Sequence, residues 1–151
     1  MSKPVYFVDA NIIMYAVGAQ HPFKMPCAQI ITDIGNRLID SVTSVEVLQE
    51  ILHRYTALKR RADAVSVTHD FVLLVTKVLP ITIAEVERAL QLHQQYVSLT
   101  ARDSIHAATL YNHGLSHILT ADTHFDGLPG ITRVDPNDWQ QIRPRSPVFG
   151  S

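Results

Sequence analysis

The sequence predicts an α/β fold built on a mainly parallel sheet. Short apolar runs rich in β-branched and aromatic residues recur along the chain, as buried strands do. Stretches of helical periodicity separate them, and strands alternating with helices favour a parallel sheet. Acids follow the strand ends or open the next helix: Asp9 after Val5–Val8, Glu46 after the second run, Asp103 at a later helix start, and Asp122 after Ile118-Leu119.

Val5 to Val8 reads as the first strand, and Asp9-Ala10-Asn11 opens a helix from Ile12 toward Val17. Pro22 and Pro26 punctuate the next segment. Ala28, Ile30, Ile31 and Ile34 form a helical stripe ending near Gly35-Asn36, a suitable C-cap. Leu38 to Val42 is the second strand. Val45, Leu48, Leu52 and Tyr55 then recur at helical spacing, which predicts that this face turns inward. Ala64 to Leu74 is a further helix. Val78 to Ile81 contains Pro80, which confines it to a short edge strand. Ile83 to Tyr96 reads as a helix with Val86, Leu90 and Leu92 inward, and Ser104 to Tyr111 as another, stopping at Asn112-His113-Gly114. Ile118-Leu119 and Ile131 to Val134 complete the strands. These elements define one domain over residues 1–138, with residues 139–151 as an extended C-terminal tail.

The bulk properties bound the function. Hydrophobic content of 46% and charged content of 18% are those of an ordinary globular domain. The formal charge is −1, so no global basic field advertises a polyanion partner. A lone cysteine, Cys27, forms no internal disulfide and fits a reducing, cytoplasmic setting. The start lacks a signal-peptide pattern, and no run reaches the roughly 20 apolar residues a membrane span needs.

Each acid has a local explanation. Asp9 suits a helix N-cap. Thr43-Ser44-Val45-Glu46 and Thr100-Ala101-Arg102-Asp103 match capping boxes. Capping accounts for one acid at a time, not for their recurrence at strand ends. In an open parallel sheet, ligand sites lie outside the carboxyl ends of the strands, where these acids would gather. An uncompensated cluster repels itself, and a divalent cation removes that penalty.

Other chemistries fit poorly. Of the eight histidines only His113 and His117 have His-x-x-x-His spacing, and they flank the turn at Gly114; Cys-x-x-Cys is absent, which argues against zinc. His106, one turn after Asp103, reads as a packing histidine or as a group reaching the acids. Ser44 and Ser104 lack a nucleophile elbow, and no Gly-rich phosphate loop is present. A phosphatase forming an aspartyl-phosphate would carry Asp-x-Asp after the first strand, where Asn11 stands.

Four stretches carry a family resemblance: Val8-Asp9-Ala10-Asn11, Ser44-Val45-Glu46-Val47-Leu48, Ala101-Arg102-Asp103-Ser104-Ile105-His106-Ala107-Ala108, and Leu119-Thr120-Ala121-Asp122-Thr123-His124-Phe125-Asp126. In order, spacing and context, from Val5 to about Val134, the chain resembles a PIN-domain ribonuclease of the VapC toxin type. The resemblance implies a three-layer α/β/α fold and a Mg²⁺- or Mn²⁺-dependent endoribonuclease, the toxin of a type II toxin–antitoxin pair. It assigns catalytic and metal-binding roles to Asp9, Glu46, Asp103 and Asp122, with Asp126 auxiliary. Asn11 and Thr120 would orient the carboxylates. The substrate would be tRNA, rRNA or mRNA, and the protein partner an antitoxin.

Arg54, Lys59, Arg60 and Arg61 are candidates for holding an RNA backbone, or form a solvated helix end. Surplus apolar residues on the 45–55 and 64–74 helices would serve a homodimer or an antitoxin helix. A housekeeping RNA-processing nuclease and a non-cutting PIN-like scaffold for RNA or protein are the alternative functions.

Overall fold

The structure, a computed structural model, describes residues 3–145. Among these, five strands form one parallel sheet: β1 (Val5–Val8), β2 (Asp40–Ser44), β3 (Lys77–Leu79), β4 (His117–Leu119) and β5 (Thr132–Val134). Their order across the sheet is β3-β2-β1-β4-β5, with every pairing parallel. The helices are α1 (Ala10–Val17), α2 (Lys24–Gly35), α3 (Val45–Ala57), α4 (Arg61–Leu74), α5 (Ile83–Gln95), α6 (Ala101–Asn112) and α7 (Trp139–Ile142). They make with the sheet the expected α/β/α architecture.

The chain runs outward from β1 through β2 to β3, then returns to β4 on the other side of β1. Strand order therefore reverses between β1 and β4, which is where such sheets open a crevice. Phe7 and Val8 in β1 and Ile118 and Leu119 in β4 are fully buried. Loss of that apolar surface from water is the main force seating the sheet. The strand containing Lys77–Leu79 is an edge strand, and Pro80 ends it.

The second strand lies two residues later than the apolar run suggests. Asp40–Ser44 pairs with both neighbours, and its polar Ser41, Thr43 and Ser44 are buried. Thr43 donates to the Val8 carbonyl across the sheet, at 2.9 Å. The helix that follows, α3, starts at Val45, as its spacing predicts. Ser44, not Thr43, is its N-cap, accepting from the Val47 amide at 3.3 Å. The capping-box register that placed Glu46 three residues after the cap is thus off by one. The inward face of α3 is Val47, Ile51 and Tyr55, whereas Val45 and Leu52 are exposed.

On α5 the buried residues are Glu85, Ala89 and Leu92, and Leu90 is 66% exposed rather than inward. Leu90 sits one step round the helix from Ala89, away from the packed face. Residues 139–142, expected to begin an extended tail, form α7. Trp139 is fully buried, edge-on to Tyr6 with centroids 5.4 Å apart. Its indole N–H donates to Asp33 Oδ2 at 2.9 Å, and Arg143 donates to both Asp33 oxygens at 2.8 and 2.7 Å. This polar knot ties α7 to α2. Residues 146–151 of the expected tail lie outside the described residues. Among the described residues no helix is long and apolar enough to cross a membrane.

Candidate metal centre

A crevice of about 530 Å³ opens at the carboxyl ends of β1 and β4, lined by Asp9, Asp103, Asp122, Glu50 and His124 among others. Three of the four acids expected to converge line it.

Asp9 follows β1 and caps α1, with Oδ1 accepting the Ala10 amide at 2.8 Å. Its Oδ2 accepts from Thr120 Oγ1 at 2.7 Å, and Asn11 Nδ2 lies 3.4 Å away. Asn11 also donates to Thr120 Oγ1 at 2.9 Å and accepts the Ala121 amide at 3.2 Å. Asn11 and Thr120 thus fix the Asp9 carboxylate across the gap between two strands. Burial pushes the Asp9 carboxyl above its usual range and the nearby Glu50 charge adds to this, while the His106 charge and the Thr120 hydrogen bond oppose it.

Asp103 enters through the start of α6. Thr100 and Asp103 form a reciprocal capping box, with bonds of 3.1 and 3.2 Å. The same carboxylate lies 2.9 Å from His124 Nδ1. Asp122 follows β4, caps a short 3₁₀ turn by accepting the His124 amide at 2.9 Å, and lies 3.1 Å from His124 Nδ1. Burial raises the Asp122 carboxyl, and the Asp103 charge adds to that, against the His124 amide bond and charge. The hydrogen bond to Asp103, then the Asp122 charge, raise the His124 imidazole above its usual value.

Glu46 does not line this crevice. Its Oε1 accepts from Arg102 Nε at 3.1 Å. Asp126 is likewise engaged elsewhere, taking two bonds from Arg133 at 2.7 and 3.3 Å. Of the basic candidates, Arg54 lines the crevice, whereas Lys59, Arg60 and Arg61 do not. Arg60 pairs with Asp63 at 2.7 Å and lies over the Tyr55 ring.

Among the described residues, two groups of side chains have donor atoms within 4.8 Å of one another: Asp9, Glu50 and His106, and Asp103, Asp122 and His124. The first surrounds a buried imidazole. His106 is 1% exposed, and its Nε2 lies 3.5 Å from Glu50 Oε1 and 3.6 Å from Asp9 Oδ1. Burial alone would lower the His106 pKa, but the Glu50 hydrogen bond and the Asp9 charge overcome it and raise it. Burial would likewise raise Glu50, and His106 holds it down instead. Glu50 and His124 are site residues that the sequence did not lead us to expect. The available signal for Glu50 was its spacing, four residues after Glu46, matched by His106 four residues after Arg102. His124 stands two residues after Asp122, close enough to turn back on it.

Desolvated carboxylates whose protonation is favoured by mutual repulsion suit a hard divalent cation, which takes oxygen ligands and removes that cost. The donor set therefore fits a divalent cation of this kind. Fold and crevice define the class: an α/β protein with carboxylates gathered at the switch point of its sheet, able to hold such an ion.

The comparisons with known proteins narrow the class. A family model described as PIN domain matches residues 6–131. The chain belongs to the PIN-domain family. It is 42% identical over 131 residues to VapC ribonuclease Mb1869c of Mycobacterium bovis, covering 84% of this chain and 97% of that protein. A toxin–antitoxin complex from Klebsiella pneumoniae shares the fold, with a TM-score of 0.63, 21% identity, and coverage of 87% of this chain and 97% of that one. So does VapC20 of Mycobacterium tuberculosis, described as a sarcin-ricin loop cleaving toxin, with a TM-score of 0.67, 15% identity, and coverage of 83% and 98%.

Proposed function

We propose that this protein is a metal-dependent endoribonuclease, the toxin of a toxin–antitoxin pair, with Mg²⁺ or Mn²⁺ as its ion and RNA as its substrate. The observation that carries the reading is the meeting of Asp9, Asp103 and Asp122 in one crevice in a chain 42% identical to a VapC ribonuclease. These three carboxylates would hold the ion. A bound divalent cation supplies an acidified water and positive charge for the reacting phosphate. The protein's own part is to fix the carboxylates. Thr120 and Asn11 set Asp9, the Thr100 cap sets Asp103, and the 3₁₀ turn sets Asp122. Arg54 lines the same crevice and would meet a phosphate there. An antitoxin helix or a second copy of the chain has apolar surface available: Val45, Leu52, Leu58, Val65, Val72 and Leu73 on and between α3 and α4 are exposed.

The test is incubation with total RNA in Mg²⁺ or Mn²⁺, with and without EDTA, and mapping of the ends. The expected result is cutting that leaves 5′-phosphate and 3′-hydroxyl ends and stops with EDTA. Asp103→Asn keeps an acceptor for the α6 cap, so it should fold normally and lose on the order of 100-fold or more in rate. An Asp103→Asn protein that cuts as fast as the parent overturns the reading.

A further inference from the structure

We propose that Tyr15 and Phe23 form a stacking platform for a nucleobase beside the scissile phosphate, so that the RNA is taken single-stranded at the cut. This rests on the reading above and adds how that site grips its substrate. Asn11, Met14 and Tyr15 all line the crevice. Their i, i+3, i+4 spacing sets them on one face of α1. Asn11 Nδ2 lies 3.4 Å from the Asp9 carboxylate. Four residues advance a helix by about 6 Å, about the length of one nucleotide. Tyr15 thus stands one such step along the crevice wall from the group that holds Asp9.

The rings are fixed before any ligand arrives. The link between α1 and α2, residues 18–23, folds back so that His21 stacks on Tyr15, with centroids 4.5 Å apart and planes 29° apart. Phe23 lies 5.4 Å from His21 and 5.2 Å from Tyr15, within the range where aromatic pairs attract. The Phe23 amide donates to His21 Nδ1 at 3.1 Å, and Lys24 Nζ donates to the Gly18 carbonyl, so the link is closed by its own bonds. Tyr15 and Phe23 are only partly buried against the core, and both line the crevice. Sites for single-stranded nucleic acid pair cations for the backbone with aromatic faces for the bases. The cation here is Arg54, 3.8 Å from Met14 Sδ on the same wall. A chain of net charge −1 offers a polyanion little long-range attraction, and stacking needs none. Every base has a π-face, but in a duplex its neighbours cover it. The base must therefore leave its stack to reach the rings.

The experiment uses the full chain and a short single-stranded RNA spanning a cut mapped in total RNA, with an abasic nucleotide placed in turn at each position around the cut. For the parent, one abasic position beside the cut should lower kcat/KM about tenfold, and pairing the RNA into a duplex should do at least as much. Tyr15→Leu keeps apolar bulk and removes the π-face. It should lower kcat/KM about tenfold on the intact RNA and lose most of the sensitivity to that abasic position, since the two changes remove one contact. Tyr15→Phe keeps the face and should cut within about twofold of the parent. Calorimetry should show Tyr15→Leu binding Mn²⁺ as the parent does, which separates this loss from damage to the metal centre. If Tyr15→Leu cuts like the parent, or keeps the full abasic penalty, the rings serve only to pack the α1–α2 hairpin or to meet a protein, and the platform falls while the nuclease stands. If the parent cuts no RNA, both fall. Should Tyr15→Leu not fold, the parent's abasic scan and Phe23→Leu decide: sensitivity at one flanking position that Phe23→Leu diminishes supports the platform, and equal rates at every position overturn it.

Discussion

A hydroxyl can donate one hydrogen bond and accept two, and Thr120 uses all three. Its Oγ1 donates to Asp9 at 2.7 Å and accepts from Asn11 at 2.9 Å and from the Asp122 amide at 3.0 Å. One buried side chain thereby sets two of the candidate ligands and holds the β1 and β4 ends together. Thr120→Val keeps the volume but leaves these groups without their partner. It should lower stability by about 1–3 kcal/mol in urea unfolding, and Thr120→Ser should restore most of it. A Thr120→Val protein as stable as the parent contradicts this role. At this scale the sequence carried much of the site. Asp9, Asp103 and Asp122 each sit where a strand end or helix cap puts them, and those are local properties. Glu50 was not legible, because the face that α3 turns to the crevice is set by its packing against α1 and α6.

Strand register is a matter of the element. The apolar run at Leu38 to Val42 suggests a strand two residues early, but cross-sheet pairing draws Asp40–Ser44 into register with β1 and β3. Tertiary pairing overrode local pattern. The helix α7 was hidden for a similar reason: four residues have little helical tendency of their own, and Trp139 and Arg143 are held by Asp33, over a hundred residues away. Asp33 stands on the buried face of α2 with Ile30 and Ile34, and an acid there needs a partner. Burial would raise its carboxyl, but hydrogen bonds from Arg143, Trp139 and Gln29 hold it below the ordinary value. A group depressed in the folded state stabilises above its unfolded pKa, about 3.9, and that contribution is lost as pH falls through the folded value. Asp33→Asn should therefore lower Tm at neutral pH and show a shallower decline below about pH 4 than the parent. Superimposable Tm curves for parent and variant exclude the knot as a stabilising feature.

At the scale of the whole molecule, the order β3-β2-β1-β4-β5 explains why distant acids meet. Reversal of the strand order beside β1 opens one edge of the sheet, and Asp9 and Asp122 leave β1 and β4 on either side of that opening. Asp103 arrives from the start of α6. This much follows from alternating strands and helices, so the architecture was readable in the sequence. The net charge of −1 leaves the attraction of a polyanion to local cations and to bound metal. The most direct measurement is anomalous diffraction from crystals soaked in Mn²⁺. A peak should lie among the carboxylates of Asp9, Asp103 and Asp122, and vanish in Asp9→Asn. Mn²⁺ bound only elsewhere, or a peak unchanged by that substitution, contradicts the existence of a metal centre at the sheet's carboxyl edge.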